Sequence, residues 1–447
     1  MLRQRPVYYF YFTSSLVLYL VVGYGIDRHN TLPLFAAYFA LFILFTLVVR
    51  KTTTASDQQL TFWITASVIF RALLLFSVPA LSDDFYRFIW DGRLLAGGYH
   101  PFSEVPAYYI RHPDNIPGID SELFHKLNAK ETYTSYPSFA QLIFWISVKL
   151  SAGSIYGSMV VMKFIIFLFE LATLWIMPRL FRDFNVRRAN ILLYSLNPLV
   201  ILELTGNLHF EGIMIFFLLL AIHALTRQQF LVSSALYALS ICTKLIPILF
   251  LPLFVRHLGW KKATTYWIST GVMVVLLFLP LLNMDIVRGL STSLGYYFQR
   301  FEFNASVYYI VRAFGYLIFG FNIIQFAGPL LALAATMIIL RISFRNLPSQ
   351  FAGQIDKNLF DGMLWCLLVY FLSTAILHPW YIITLLAISL FTPYRFPVVW
   401  TGAIFLTYAG YTGNGFRENL FLVALEYIVV IAYVLYETVW TNRKSHS

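Results

Sequence analysis

Two adjacent carboxylates, Asp83 and Asp84, stand where a long apolar run ends and the most polar stretch of the chain begins. A carboxylate at a partly dry boundary loses hydration, which raises its basicity, and it can then take a proton from a hydroxyl. The same pair can also be a solvated loop start, with one Asp capping the next helix. Arg87, Asp91 and Arg93 follow, and Asp83 to Arg87 and Arg87 to Asp91 are both i,i+4 pairs. The arginines are therefore either structural partners of the acids or phosphate ligands.

Further polar groups interrupt otherwise apolar sequence. Asn197, Glu203, Asn207, His209 and Glu211 fall between two apolar runs, where ordinary turn residues are expected and His209 and Glu211 add acid–base capacity. Lys244, in Thr243-Lys244-Leu245-Ile246-Pro247, has apolar neighbours on both sides. It either ends a half-span near the surface, where it can meet a phosphate, or it snorkels from one bent span. His378, Trp380 and Tyr381 form a further turn, in which the imidazole is either structural or a base or phosphate ligand. Tyr136-Pro137-Ser138 opens an aromatic stretch suited to an interfacial helix. No Gly-rich phosphate loop, HExxH or paired CxxC occurs, so nothing points to a nucleotide, zinc, haem or other cofactor.

The elements that carry these residues must be membrane helices. The 447 residues are 59% hydrophobic and 12% charged, with mean hydropathy +0.70, whereas soluble domains carry about 25% charged residues. Met159 to Met177 holds only Lys163 and Glu170 as charges, and Gly271 to Leu282 and Leu331 to Leu340 hold none. Backbone polar groups in lipid must be satisfied within the segment, so the expectation is an all-α, polytopic transmembrane bundle of about 12–14 spans. The spans are expected near 7–25, 33–50, 61–80, 157–178, 189–204, 210–226, 231–244, 245–256, 264–282, 324–342, 359–377, 380–392, 397–411 and 420–440.

The formal charge of +11 comes from basic residues in short loops, which signals orientation in the membrane and not nucleic acid. With the basic clusters Arg50–Lys51, Arg179–Arg188, Lys261–Lys262, Arg341–Arg345 and Arg443–Lys444 inside, Leu81 to Tyr136 is an external loop. Segments 137–152 and 306–319 are then non-crossing. Met1 to Pro6 is basic and precedes a long apolar run, which reads as a retained first span. Cys242 and Cys366 lie in apolar segments and are expected to be unbridged core residues. A single transmembrane domain over 1–447, without a separate soluble domain, is expected.

The ordered set of motifs resembles integral-membrane glycosyltransferases of the GT-C class, specifically the bacterial mannosyltransferases that use polyprenyl-phosphate-linked mannose. The stretch from Asp83 to Arg93, with Gly98 and Pro101-Phe102, is similar to that family's first external loop. Tyr136-Pro137-Ser138 resembles its Tyr-Pro-Pro element with Ser138 for the second Pro. Asn207-Leu208-His209-Phe210-Glu211 resembles its Asn-x-His-x-Asp element with Glu for Asp. Lys244 to Pro247 and His378 to Tyr381 also match family elements. The resemblance implies an inverting transfer from a polyprenyl-phosphate sugar donor to a glycan or glycolipid acceptor, at the outer face of a bacterial cytoplasmic membrane. It implies Asp84 as general base, with Asp83 second, and donor contacts from Lys244, His378, Arg87, Arg93, Asp91, Tyr136, His209, Glu211, Asn207, Trp380 and Tyr381. The competing classes are a flippase or transporter of lipid-linked sugars and a polymerase or ligase using lipid-diphosphate saccharides. Transporters place polar sites near the bilayer midplane, whereas these clusters map to the outer ends of spans.

Overall fold

The computed structural model describes residues 5–52, 56–112, 116–345, 355–412 and 415–445, and Met1 to Gln4 and the side chains of Arg443 and Lys444 lie outside them. The architecture is an all-α polytopic bundle. Among the described residues the strands amount to one short hairpin, Tyr411–Thr412 paired antiparallel with Gly415–Phe416.

Among the described residues, six helices are long and apolar enough to cross a membrane: Pro6–Tyr24, Thr31–Lys51, Ile155–Asp183, Ile246–Leu281, Ile324–Phe344 and Leu420–Val439. Thr31–Lys51, for example, extends for about 32 Å at 1.5 Å per residue, enough for a hydrocarbon core of about 30 Å. A seventh span forms if Arg188–Ser195 and Pro198–Gly206 are one helix bent by 53°. The bend has a local cause. Pro198 lacks an N–H for the ladder, and the Asn197 carboxamide accepts from the Leu199 amide at 3.0 Å instead.

The remaining apolar helices are short. Ser138–Leu150 and Val307–Phe319, both expected not to cross, are 13 residues each, about 20 Å long and well under a bilayer's core. Segments 245–256 and 264–282 meet in the stretch Ile246–Leu281, and the expected break between them falls at Gly259, whose non-helical φ 78° and ψ 162° kink the chain between two helices.

The chain separates into two compact units, each built from discontinuous segments. The first comprises Met1–Leu81, Ile166–His209 and His378–Ser447, and the second Ser82–Ile165 and Phe210–Leu377. Within the first, the two charges that most need partners at membrane depth find each other. Arg71 Nη2 lies 3.2 Å from Glu170 Oε2, both side chains fully buried. Tyr194 donates to Glu170 Oε1 at 2.8 Å, and Arg71 also donates to the Ser195 carbonyl at 2.6 Å. That satisfies an ion pair which would be costly alone in an apolar interior.

Within the second unit, the Asp84–Ala96 helix packs on Ser138–Leu150. Phe88 and Phe144 stack at 4.7 Å with their planes 3° apart. Gly92 allows this approach, since a Cβ there would lie 2.5 Å from the Phe144 carbonyl oxygen. Backbone cannot yield as a flexible side chain can. Gly92→Ala is therefore expected to push the helices apart and to cost about 1–3 kcal/mol, read as a lowered unfolding temperature in detergent. An unchanged unfolding temperature would mean that this contact is not tight in solution.

Candidate active site

Asp84 opens the Asp84–Ala96 helix, with Asp83 in the preceding cap position. The Asp83 side chain makes no capping bond, so the structure does not use this pair as a helix cap. Asp84 is partly buried. Its Oδ1 accepts from Asn128 Nδ2 at 2.8 Å, and its Oδ2 accepts from the Tyr136 hydroxyl at 3.4 Å. Burial holds its carboxyl above the ordinary value, against the lowering effects of the Asn128 bond and the Lys244 charge, and the neighbouring Asp83 adds to the rise. A carboxylate of raised basicity, oriented from both oxygens, is suited to accept a proton.

Tyr136 stands between this acid and a cation. Its ring is held edge-on by Phe88 at 4.7 Å and Phe144 at 5.6 Å. Lys244 Nζ lies 5.9 Å from the centroid of the same ring and 2.5 Å from Glu211 Oε1. The Glu211 side chain is fully buried and that of Lys244 is 15% exposed. Two helix ends create the pair. Phe230–Thr243 stops at Lys244, whose backbone is extended at φ −150°, ψ 144°, and Glu211 is the first residue of Glu211–Thr226. The two helices are locked together by Ser240, whose hydroxyl donates to the Met214 carbonyl at 2.8 Å. The half-span reading of Lys244 thus matches its place at a helix break. An ammonium has three donors, and one of them goes to Glu211.

Arg87, Asp91 and Arg93 hold the scaffold. Arg87 donates to Asp91 Oδ1 at 2.8 Å and to the carbonyls of Ala129 at 3.2 Å and Thr132 at 2.9 Å. Asp91 is fully buried and also accepts from Gln141 Nε2 at 3.0 Å. Arg93 donates to the carbonyl oxygens of Gly118 and Gly153. These guanidiniums tie the segment before Tyr136 and the loop at Gly118 to the Asp84 helix, and so fix where Asn128 and Tyr136 meet Asp84.

Three contributors have no signal in a linear reading. Asn128 is an ordinary loop residue until it reaches Asp84. Gln141 lies on a helix expected only to cover the surface. Tyr297, on Met284–Gln299, lies within electrostatic reach of Asp84 and Arg87. Its helix is held to the segment around Phe102 and Ser103. Ser103 Oγ donates to Asp285 Oδ2 at 2.6 Å, and Gly289 packs against the Phe102 carbonyl.

The other expected site residues belong to the first unit. Asn207 Oδ1 accepts from the amides of Ala80 at 3.1 Å and Leu81 at 3.0 Å, and its Nδ2 donates to the Leu202 carbonyl at 2.9 Å. It pins the backbone immediately preceding the acidic pair in sequence. His209 stacks on Trp380 with centroids 3.6 Å apart, and His378 stacks on Trp380 at 4.5 Å. Tyr381 meets His378 edge-on at 5.5 Å. Glu203, on the π-helix Ile201–Gly206, places Oε2 3.3 Å from His209 Nε2. Leu208 holds φ at 67°, a strained value for a residue with a Cβ, and such strain clusters at functional sites. The expected residues therefore fall into two groups, Asp83, Asp84, Arg87, Asp91, Arg93, Tyr136, Glu211 and Lys244 in one unit and Asn207, His209, His378, Trp380 and Tyr381 in the other.

Comparison with known proteins finds that the model of a family described as alpha-(1->6)-mannopyranosyltransferase, N-terminal domain, matches residues 15–261. The chain is 24% identical over 238 residues to alpha-(1->6)-mannopyranosyltransferase A of Mycobacterium tuberculosis, covering 50% of this chain and 44% of the relative. It is 24% identical over 190 residues to alpha-(1->6)-mannopyranosyltransferase A of Corynebacterium glutamicum, covering 42% of this chain and 36% of the relative. The matched stretch therefore spans less than half the length of either relative.

Proposed function

We propose that this chain, which belongs to the alpha-(1->6)-mannopyranosyltransferase family matched over residues 15–261, transfers a mannosyl unit from a polyprenyl-phosphate donor to a hydroxyl of a glycan or glycolipid. The observation that carries the reading is the arrangement around Tyr136, with the Asp84 carboxylate at its hydroxyl and the Lys244 ammonium over its ring. A proton acceptor and a cation share contacts with one tyrosine, one for each end of the bond exchange. The acceptor hydroxyl gives its proton to Asp84 as its oxygen bonds to the anomeric carbon from the open face. The bond from that carbon to the phosphate oxygen breaks on the other face, with inversion, and the polyprenyl phosphate leaves with the electron pair. Lys244 stabilises the negative charge that develops there, while Asp83 supports Asp84 or binds sugar hydroxyls. The donor contacts expected of Tyr136, Glu211, His209, His378, Trp380, Tyr381, Asn207, Arg87, Arg93 and Asp91 remain part of this reading, with the last three and Asn207 acting through the scaffold.

Purified protein in lipid vesicles, given polyprenyl-phosphate mannose and a mannose-containing acceptor, is expected to release polyprenyl phosphate and lengthen the acceptor. Movement of donor across the bilayer without a new glycosidic bond would instead make it a transporter, and turnover confined to lipid-diphosphate saccharides would make it a polymerase or ligase. The face of the membrane is tested separately. Cysteine at Glu122, whose side chain is 75% exposed, is expected to react with an impermeant thiol reagent from outside intact cells. Labelling only after the cytoplasmic face is opened would reverse the orientation.

A further inference from the structure

Glu203 and Tyr408 take no part in the transfer chemistry above, yet they build a buried acid–base group within the first unit. Glu203 is fully buried and His209 is 1% exposed. The Tyr408 hydroxyl donates to Glu203 Oε1 at 2.5 Å, and Glu203 Oε2 stands 3.3 Å from His209 Nε2. The His209 ring lies on Trp380, 3.6 Å between centroids and 17° between planes. These residues come from three separate stretches of sequence, around 203–209, 380 and 408.

An ionised carboxylate in an apolar interior requires a nearby positive charge or full hydrogen bonding. An imidazolium at Nε2 supplies the charge, and the face of an indole attracts a cation stacked on it. Two independent contacts, Glu203 at the ring edge and Trp380 at the ring face, therefore favour the same protonation state of His209. The other groups facing this array are Tyr38, within electrostatic reach of Glu203, Arg28, within reach of Tyr408, and His378 and Tyr381 around Trp380.

We propose that Glu203 is a positioning residue that holds His209 as an imidazolium against Trp380, with Tyr408 fixing the carboxylate for that task, and that this buried positive charge strengthens binding of an anionic lipid phosphate. The ligand rests on the functional reading above, whereas the charge state does not. Glu203 acts only through His209 and touches no substrate.

The test uses the full chain in detergent and reads the charge of the ring directly. An imidazolium stacked on an indole quenches its emission more than a neutral imidazole does, so the emission of Trp380, taken as the difference from Trp380→Phe, reports the stack. In the emission measurements all proteins carry His378→Gln, which assigns the signal to His209, whereas binding is compared in proteins that retain His378. Emission is expected to stay quenched from about pH 5 to well above the ordinary histidine range, and Glu203→Gln is expected to move the midpoint down by at least about one pH unit. Tyr408→Phe, which keeps the carboxylate, is expected to move it down by less and serves where Glu203→Gln does not fold. A midpoint left in place by both variants would overturn the charge state and make Glu203 a protonated hydrogen-bond donor. Binding of polyprenyl phosphate alone, with the sugar absent, is expected to weaken severalfold in Glu203→Gln. A shifted midpoint with unchanged polyprenyl phosphate binding would overturn the phosphate assignment while leaving the charge state standing.

Discussion

Asp84→Asn is expected to lower sugar transfer by about 100- to 10,000-fold, the usual contribution of a positioned base, with the fold and donor binding retained. Asn keeps the size of the side chain, and its one oxygen can still accept from Asn128 while its amide donates to the Tyr136 hydroxyl oxygen, but it cannot take a proton. The stability sign runs the other way. Burial holds the Asp84 carboxyl above its ordinary value, so the folded chain binds that proton more tightly than the unfolded chain. Between those two values the ionisation costs stability as pH rises, and at neutral pH Asp84→Asn should be at least as stable as the native protein. The active form is the carboxylate, so the transfer rate should climb with pH along a limb set by the raised Asp84 value. Asp83→Asn should be less damaged and should move that limb to lower pH, because the Asp83 charge contributes to the rise. Near-native transfer by Asp84→Asn with a dead Asp83→Asn would exchange the two roles, and two active variants would remove a carboxylate base from this loop.

Lys244→Met is expected to abolish most donor use and also to destabilise the second unit. The side chain it removes is the partner of Glu211, a carboxylate with no exposed surface, and deleting one member of a buried pair costs about 3–5 kcal/mol because the other charge is stranded. Lys244→Met combined with Glu211→Gln removes both charges and should recover most of that stability without recovering donor use. This separates a cation needed by the donor from one needed by the fold. The Lys244 charge also lowers the Asp84 carboxyl, so the residual activity of the double variant should show its pH limb moved upward. A double variant with native donor dependence would leave Lys244 a purely structural partner of Glu211.

Membrane residence, helical class and the order of the motif-bearing turns are legible in the sequence because each depends on local pattern. Long apolar runs must satisfy their own backbone in lipid, and polar residues that interrupt them stand out at the ends of spans. Asp84 and Lys244 were therefore visible as candidates from their immediate neighbours alone. Periodicity tells which face a residue takes on its own helix, but not which distant side chain will meet that face. The pairing of Lys244 with Glu211 across 33 residues, of Arg71 with Glu170 across 99 and of Tyr408 with Glu203 across 205 was decided by packing. The roles of Arg87 and Arg93 were decided the same way. Their charges suit a phosphate equally well in a linear reading, and only the folded loop brings the carbonyls of Ala129, Thr132, Gly118 and Gly153 within their reach. A buried donor takes whatever acceptor the tertiary structure offers, since leaving it unpaired costs more than any preference encoded nearby in the chain.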